Sequence, residues 1–135
     1  MLITRRSDYA LRICRALQDG KRHNVSEICR MEDVPKAFTY KILREMEQRG
    51  IVRSERGNRG GYCLEASLDD ITLYDIVCHM EDDVAVMHCM REKCDRNKAE
   101  DPCMVHREIA RIQEVLIQEL RRKSIGQILT EETGD

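Results

Sequence analysis

Apolar residues recur at helical spacing near the N-terminus of the chain. Over residues 3–19, Ala10, Ile13 and Leu17 are separated by three or four positions, which places them on one face of an α-helix. Gly20 follows, and glycine is the residue best able to adopt the left-handed conformation that ends many helices. The pattern therefore predicts a first helix with one buried apolar face.

The next segment predicts a short helix followed by a longer one. Ser26 is expected to cap a helix that carries Ile28, and Pro35 stands in the first turn of a helix that runs to about Arg49. The apolar positions spaced by four in the longer helix are predicted to point inward: Phe38, Ile42 and Met46. Its other face is basic, so the two helices are typical of a helix-turn-helix.

Two strands are predicted directly after the longer helix. Residues 51–55 and 62–64 have the pattern expected of short β-strands. The segment 56–61 between them contains three glycines, an asparagine and two arginines, a composition typical of a hairpin tip. A helix-turn-helix followed by a basic hairpin indicates a winged helix. Its helix suits the major groove of DNA, and its hairpin suits phosphates or the minor groove.

The C-terminal half predicts further helices and a loop. Residues 67–81 form a helical region in which Thr72 caps an apolar run, whereas the segment 82–103 has no periodicity. Beyond it, apolar residues recur at helical spacing: Val105, Ile109, Ile112, Leu116 and Leu120. One stripe on a long helix favours packing against a second subunit, and the alternative is that the helix folds back on its own domain. Ser124 is expected to cap a last short helix, followed by an acidic, frayed tail at 130–135.

Composition and charge narrow the possible partners. The 135 residues are 36% charged and 4% aromatic, with no tryptophan, which favours a helical protein with an aliphatic core. Residues 1–66 hold 14 Lys and Arg against 9 Asp and Glu, whereas residues 67–135 hold 9 against 16. A basic N-terminal half favours a polyanion partner such as DNA. No run is apolar enough for a membrane span or a signal peptide, so we expect a cytoplasmic protein without a membrane partner.

The loop carries the residues best suited to bind a metal. Seven cysteines in a chain without an export signal favour metal or redox chemistry over disulfides. Cys89, Cys94 and Cys103 lie in the loop, and His106 follows the last of them by three residues. Thiolates and an imidazole at this spacing suit a soft or borderline metal, and the same thiols could instead form a redox pair. Three cysteines on the predicted helices are expected to be structural: Cys14, Cys29 and Cys78.

Several stretches of the chain resemble the bacterial IscR/NsrR-type winged-helix regulators, many of which sense through an iron–sulfur cluster. They are Tyr9-Ala10-Leu11-Arg12, the wing from Val52 to Tyr62 with its Arg56-Gly57 and Gly60-Gly61-Tyr62, and residues 71–77. The resemblance implies a dimeric transcriptional regulator, more commonly a repressor. Each subunit would place one winged helix on half of a near-palindromic DNA operator.

The resemblance also implies how the chain is divided. A mostly α fold with a small β-hairpin wing is expected, with a winged helix-turn-helix domain at 1–81 and a cysteine-bearing sensor loop at 82–103. A dimerisation helix and a short C-terminal helix follow at 104–135. Arg56 is expected to enter the minor groove. The full set of residues expected at DNA lies on the recognition helix and the wing: Lys36, Ala37, Thr39, Tyr40, Lys41, Arg44, Arg56, Asn58, Arg59 and Gly60.

An iron–sulfur cluster is the cofactor that the resemblance implies, absent in an apo form. Cys89, Cys94 and Cys103 would hold it, with His106 favoured as the fourth ligand of a [2Fe–2S] cluster. Asp8 of the opposite subunit is the alternative fourth ligand, for a [4Fe–4S] cluster. The gaps between the cysteines are four and eight residues, whereas the best-known members have five in each gap, so the cluster type stays open. Iron–sulfur status, redox conditions or nitric oxide would be the signal.

The residues leave three alternatives to a cluster. A tetrahedral zinc site of three cysteines and one histidine would be structural or metal-sensing. A thiol switch would use the same cysteines, with Arg91, Lys93 and His88 favouring the thiolate of a neighbour. An enzyme with Cys89 or Cys94 as nucleophile and a histidine as base is the least favoured, because no third orienting group or oxyanion site can be placed.

Overall fold

The computed structural model describes residues 3–131 and consists mainly of α-helices, with one antiparallel β-hairpin. The elements in chain order are α1 (Arg5–Ala16), α2 (Val25–Glu32), α3 (Lys36–Gln48), β1 (Val52–Glu55), β2 (Gly61–Leu64), a 3₁₀ turn (Leu68–Asp70), α4 (Leu73–Glu81), α5 (His88–Arg91), α6 (Met104–Arg121) and α7 (Ile125–Thr130). This is the mostly α fold with a small hairpin that the sequence predicts.

Helix α1 lies at the centre of the core. Its predicted apolar stripe has no exposed surface: Ala10, Ile13, Cys14 and Leu17. The helix packs against α2, α3 and α4. It is shorter than the predicted 3–19. The Thr4 hydroxyl caps its start by accepting a hydrogen bond from the Arg6 backbone N–H (3.2 Å), and its last residue is Ala16. Gly20 then turns the chain with a φ of 75°.

Helix α2 starts before the predicted N-cap. The side chain of Asn24, not that of Ser26, accepts a hydrogen bond from the backbone N–H of Glu27 (2.8 Å). Starting there buries both Val25 and Ile28, which are three residues apart and therefore share a face. Ser26 lies exposed in the first turn. The prediction of Ser26 as the cap was wrong because the burial of two apolar residues decides where the helix begins.

Helix α3 is rotated slightly from its predicted orientation. Its buried residues are Thr39, Ile42, Leu43 and Met46. Phe38, predicted to point inward, precedes this set by one position and is 54% exposed. Thr39, predicted to lie at DNA, is buried instead, and its hydroxyl donates a hydrogen bond to the Pro35 carbonyl (2.9 Å). That bond satisfies the hydroxyl inside the protein and removes it from the outward face.

The hairpin is fixed to the helices through its second strand. β1 and β2 are antiparallel, with Val52 opposite Leu64. The backbone N–H groups of His23 and Tyr62 each donate to the other residue's carbonyl, at 2.9 and 2.8 Å. A side chain at Gly61 would collide with the His23 carbonyl, so only glycine permits this close approach. The wing is thereby tied to the turn between α1 and α2.

The caps of α4 and α7 are those that the sequence predicts. Thr72 and Ser124 each accept a hydrogen bond from the backbone N–H three residues further on, at 3.3 and 3.0 Å. The Ile125 N–H donates to the Ile71 carbonyl (2.7 Å), which places the starts of the two helices side by side. The predicted helical region 67–81 is divided, because the 3₁₀ turn precedes α4.

Helix α6 is 18 residues long and lies in the C-terminal part of the chain. It packs against α4 and against the short helix α5, which interrupts the segment predicted to lack periodicity. None of the helices within residues 3–131 is long and apolar enough to cross a membrane. Of the predicted frayed tail, Thr130 ends α7, and residues 132–135 lie outside the described part of the chain.

The His23 ring is held between two carboxylates. Its Nε2 lies 2.9 Å from Asp19 Oδ2, and its Nδ1 lies 3.0 Å from Glu27 Oε2. The hydrogen bond with Asp19 is the main cause that raises the pKa of His23; partial burial opposes this effect, and Glu27 adds to it. When both nitrogens are protonated, each can donate to a carboxylate. The protonated ring therefore braces the turn that holds the wing.

We expect the free energy of unfolding to fall as the pH rises through the pKa of His23. Because the pKa is raised in the folded state, the stabilisation is complete below the unfolded histidine pKa of about 6.5 and is lost through the higher folded value. Chemical denaturation between about pH 5 and pH 9 measures it. His23→Gln should lose much of this decrease, and His79→Gln should retain it. Equal pH dependence of wild type and His23→Gln would contradict the role of the ring.

Candidate DNA interface and sensor loop

The outward face of α3 is basic and solvent-exposed. It carries most of the predicted recognition-helix contacts: Lys36, Ala37, Tyr40, Lys41 and Arg44. Several arginines elsewhere are neutralised, for example Arg15, whose guanidinium lies 2.5 Å from the buried carboxylate of Glu32. No carboxylate of residues 3–131 forms a salt bridge with Lys36, Lys41 or Arg44. These cations are therefore available for an external anion.

The tip of the hairpin also carries exposed cations without a carboxylate partner in the described residues. The predicted contacts lie there, three exposed and the glycine half-buried: Arg56, Asn58, Arg59 and Gly60. Within β1, by contrast, Arg53 pairs with Glu55 (3.4 Å) and Glu65 (3.1 Å). Arg56 and Arg59 have no such partner in the described part of the chain. Carboxylates thus neutralise the strand and leave the tip positively charged.

The end of α4, where the sensor loop begins, is tied to the start of α1. The Glu81 carboxylate accepts hydrogen bonds from the Thr4 backbone N–H (3.2 Å), the Thr4 hydroxyl and the Ser7 hydroxyl (2.7 Å). Burial raises the pKa of Glu81, but these hydrogen bonds outweigh burial and lower the pKa below its usual value. The carboxylate is therefore charged at neutral pH and holds the exit of the winged helix in place.

The side chain of Gln113 in α6 holds the next part of the loop. Its Nε2 donates to the Val84 carbonyl (2.6 Å), and its Oε1 accepts from the Val86 backbone N–H (2.8 Å). The apolar and polar pattern of the chain does not predict this contact. Its only signal is a polar side chain beside the apolar positions Ile112 and Leu116. Through this amide, the chain leaving α4 is fixed to the long helix.

The three predicted cysteine ligands are free thiols, each half-buried. Cys89 lies in α5, Cys94 follows α5, and Cys103 occupies the position immediately before α6. The Cys103 backbone N–H donates to the side-chain oxygen of Asn97 (3.0 Å). Cys14 differs from these residues, because burial raises the pKa of its thiol to about 12. It stays protonated at neutral pH, as expected of a structural cysteine.

Among the candidates for a fourth ligand, His106 has an unsatisfied nitrogen. Its Nδ1 is buried and has no hydrogen-bond partner within residues 3–131. An unpaired buried nitrogen is costly, and coordination to a metal would satisfy it. Asp8 is instead paired with Arg12 (3.2 Å), and the exposed His88 lies 3.4 Å from Glu92.

The predicted ligands are not gathered around one point. In the described residues, no group of three or more His, Cys, Asp and Glu side chains is arranged to hold a metal ion. The donor set of three thiols and an unpaired imidazole nevertheless fits a cluster or zinc chemically. Gathering the donors therefore requires the loop to rearrange. Between Cys94 and Cys103, the hydrogen bonds and the exposed ion pair of Arg96 and Asp101 (2.7 Å) join residues of this segment to one another.

The sequence of residues 3–131 matches the family model described as Rrf2, iron-dependent transcriptional regulator. A protein of Aquifex aeolicus described as an HTH-type transcriptional regulator is 36% identical over 93 residues, which cover 67% of this chain and 64% of that protein. The chain therefore spans slightly less than two thirds of that relative's length.

Solved structures have the same fold. CymR (YrzC), described as the global cysteine regulator of B. subtilis, is similar with a TM-score of 0.78 and 20% identity, over 97% of this chain and 98% of that one. T. potens IscR is similar with a TM-score of 0.68 and 16% identity, over 98% of this chain and 93% of that one. These likenesses confirm the winged-helix fold with its long C-terminal helix.

Replacing Gln113 with leucine is expected to release the start of the sensor loop. The change keeps the approximate size of the side chain but removes both hydrogen bonds to the loop backbone, each worth about 1 kcal/mol. The Val86 amide should then exchange its hydrogen about tenfold faster or more. Hydrogen exchange followed by mass spectrometry of the loop peptide measures this.

The matched control is Gln118→Leu. The Gln118 side chain is exposed, and its only hydrogen bond within residues 3–131 is to Glu114 (3.3 Å). Exchange in the loop should be unchanged in this variant. If Gln113→Leu exchanged like wild type, the amide would not be what holds the loop to α6.

Proposed function

Because the chain belongs to the Rrf2 family of iron-dependent transcriptional regulators, we propose that it is a dimeric, sequence-specific DNA-binding regulator, acting as a repressor. An iron–sulfur cluster on the sensor loop controls its DNA affinity. The observation that carries the DNA part is the set of cations on α3 and the wing tip that have no carboxylate partner in residues 3–131. Such cations can replace the counterions on DNA phosphates, which supplies much of the binding free energy.

The recognition helix and the wing have separate roles in this proposal. Ala37, Tyr40 and Lys41 face base edges in the major groove, where an α-helix fits. Arg56 enters the minor groove, whose narrow parts attract arginine. Lys36 and Arg44 contact phosphates, which position the helix without reading sequence.

The proposed dimer uses the outer face of α6. Large apolar residues are exposed on this helix: Met104, Val105, Ile112 and Val115. A helix of the same sequence in a second copy would cover them, and two winged helices would then be related by a twofold axis. This symmetry matches a near-palindromic operator, in which each subunit binds one half-site.

The sensor loop is the proposed site of the cluster. Cys89, Cys94 and Cys103 would supply thiolates, and the unpaired nitrogen of His106 supports it as the fourth ligand. Asp8 of a second copy is the alternative, at the cost of its ion pair with Arg12. A histidine ligand favours a [2Fe–2S] cluster. When bound, the cluster would supply bonds that are lost on oxidation, nitrosylation or iron loss.

The loop connects the winged helix to α6, so in this proposal a conformational change in the loop acts on both. Glu81 ties its beginning to α1, and Gln113 ties the following residues to α6. Gathering the cysteines would move the segment between these anchors and the start of α6. A shift of α6 relative to the winged helix would change the separation of the two recognition helices in a dimer.

A thiol switch without a cluster is the second candidate. It is favoured by the half-exposed state of the three free thiols and by the structural neighbour that is described as a cysteine regulator. Formation of a disulfide in the loop would also change its path between the anchors. A zinc site would use the same donors, so metal analysis has to distinguish all three.

Anaerobically purified protein is expected to be brown and to contain iron and sulfide. The visible absorption should be lost in Cys89→Ser, Cys94→Ser and Cys103→Ser, because each removes a thiolate. It should remain in Cys78→Ser, since that half-buried cysteine lies in α4. Absorption spectra with iron, sulfide and zinc analysis measure the outcome.

Several results would exclude the cluster. Colourless protein with one zinc per chain supports the zinc site, and a metal-free protein that forms a loop disulfide with mild peroxide supports the thiol switch.

If the cluster forms, His106→Ala and Asp8→Ala separate the two candidates for the fourth ligand. Only the variant that removes the true ligand should change the spectrum.

Arg56→Ala is expected to weaken binding to an operator duplex, obtained by in vitro selection with the wild-type protein, by about 1–3 kcal/mol. The reason is the loss of a minor-groove contact made by a cation without an internal partner. Fluorescence anisotropy over a range of salt concentrations measures the affinity and its salt slope. Arg122→Ala is the charge-matched control, because Arg122 lies at the C-terminal end of α6 and pairs with Glu119 (3.1 Å). Equal affinities of Arg56→Ala and wild type at every salt concentration would exclude the wing contact.

A further inference from the structure

Two aromatic residues are exposed on the recognition helix. The chain has only five aromatic residues, four tyrosines and one phenylalanine. Phe38 is 54% exposed and Tyr40 is 50% exposed, and both lie in the N-terminal half of α3. A single exposed apolar residue is common on protein surfaces, but two exposed aromatic rings on one basic helix indicate a surface that a partner covers.

The two rings flank the centre of the outward face. Successive residues of an α-helix are about 100° apart, so the exposed arc between Phe38 and Tyr40 spans about 160°. Ala37 lies between them on this arc, and its small side chain allows a surface to approach the helix closely. The surroundings are basic, with Lys36, Lys41 and Arg44 exposed on the same helix. Charge complementarity therefore favours a polyanion, not an uncharged apolar surface, as the partner.

The Phe38 ring is held on one side by the protein. Its centroid lies 6.1 Å from that of Tyr9 in α1, with the two planes inclined by 54°. Tyr9 itself is buried. A ring supported in this way loses little side-chain freedom when a partner covers its other side, because the helix and Tyr9 already restrict it.

Double-stranded DNA offers one apolar group in the major groove that fits such a ring. The 5-methyl group of thymine projects there, and phenylalanine is one of the side chains that contact it. The N-terminal part of a recognition helix is also the part that meets base edges. A cytosine carries no methyl group at this position unless it is methylated.

We propose that Phe38 is a specificity-determining residue that reads a thymine methyl group in each half of the operator. Tyr40 lines the opposite side of the same contact surface, with Ala37 between them. The inference rests on the proposed DNA binding and deepens it, because it assigns an apolar contact to a helix whose other exposed side chains are mostly polar or basic. The preferred base is thymine, and 5-methylcytosine would supply the same methyl group.

The test combines a protein change with a DNA change. The probe is the duplex recovered from a random pool by in vitro selection with the wild-type protein. Each thymine is replaced in turn by uracil, which lacks only the 5-methyl group. Wild type should lose about fourfold in affinity at one symmetric pair of positions, for each methyl contact removed.

Phe38→Ala should bind the thymine duplex about sixteenfold more weakly than wild type, or weaker still, because both subunits of the dimer lose the methyl contact. It should show no further loss when uracil replaces thymine at the sensitive positions, because the contact is already absent. Met31→Ala is the control, since Met31 is a similarly exposed apolar residue (49%) that lies in α2 and not on the recognition helix. It should retain both the wild-type affinity and the sensitivity to uracil.

The outcomes separate this inference from the proposed function. If wild type selects no duplex, the proposed DNA binding fails. If it binds a selected duplex but no uracil replacement matters, the methyl contact is excluded, whatever the folding of Phe38→Ala. A change of Phe38→Ala from dimer to monomer in light scattering would place Phe38 at a subunit contact and would also overturn the inference.

Discussion

The burial of the apolar face of α1 is the constraint on which the rest of the structure depends. Ala10, Ile13 and Leu17 have no exposed surface, and α2, α3 and α4 all pack on this helix. Full burial of a leucine or isoleucine side chain contributes about 1.5–3 kcal/mol. Because the recognition helix and the helix that leads into the sensor loop share this support, their relative orientation is set within one core.

Polar contacts then fix the elements that the core does not hold. The backbone pair of His23 and Tyr62 positions the wing, and Gly61 permits their approach. Glu81 and Gln113 attach the first part of the sensor loop to α1 and α6, respectively. The core is close-packed and resists small shifts, whereas these contacts are few and local. In the proposed function, a signal at the cysteines would therefore act on the loop before it affects the winged helix.

Some arginines are paired with carboxylates inside the protein, and others are available to an external partner. Arg15 and Arg53 are neutralised by carboxylates, whereas Arg56 and Arg59 at the wing tip have no carboxylate partner in residues 3–131. Phe38 is likewise a large apolar residue left exposed by the packing of α3. Hydrated cations beside an exposed ring suit a surface that binds the phosphates and base edges of DNA.

Periodicity and capping chemistry in the sequence determined most of the elements. The stripe of α1, the hairpin with its glycine-rich tip, and the caps Thr72 and Ser124 were all predictable, because they depend on residues close together in the chain. The same patterns, with the resemblance, indicated the family that the comparison confirms, and the ligand set stays a prediction.

Only the tertiary structure decided which of several similar residues was used. Asn24 and not Ser26 caps α2, because the core buries Val25 and Ile28 together. Thr39 is turned inward and Phe38 outward, since neighbouring helices cover one side of α3. The contact of Gln113 with the loop joins residues 27 and 29 positions apart. Such choices depend on which surfaces meet in space, and a one-dimensional pattern of polar and apolar residues does not contain that information.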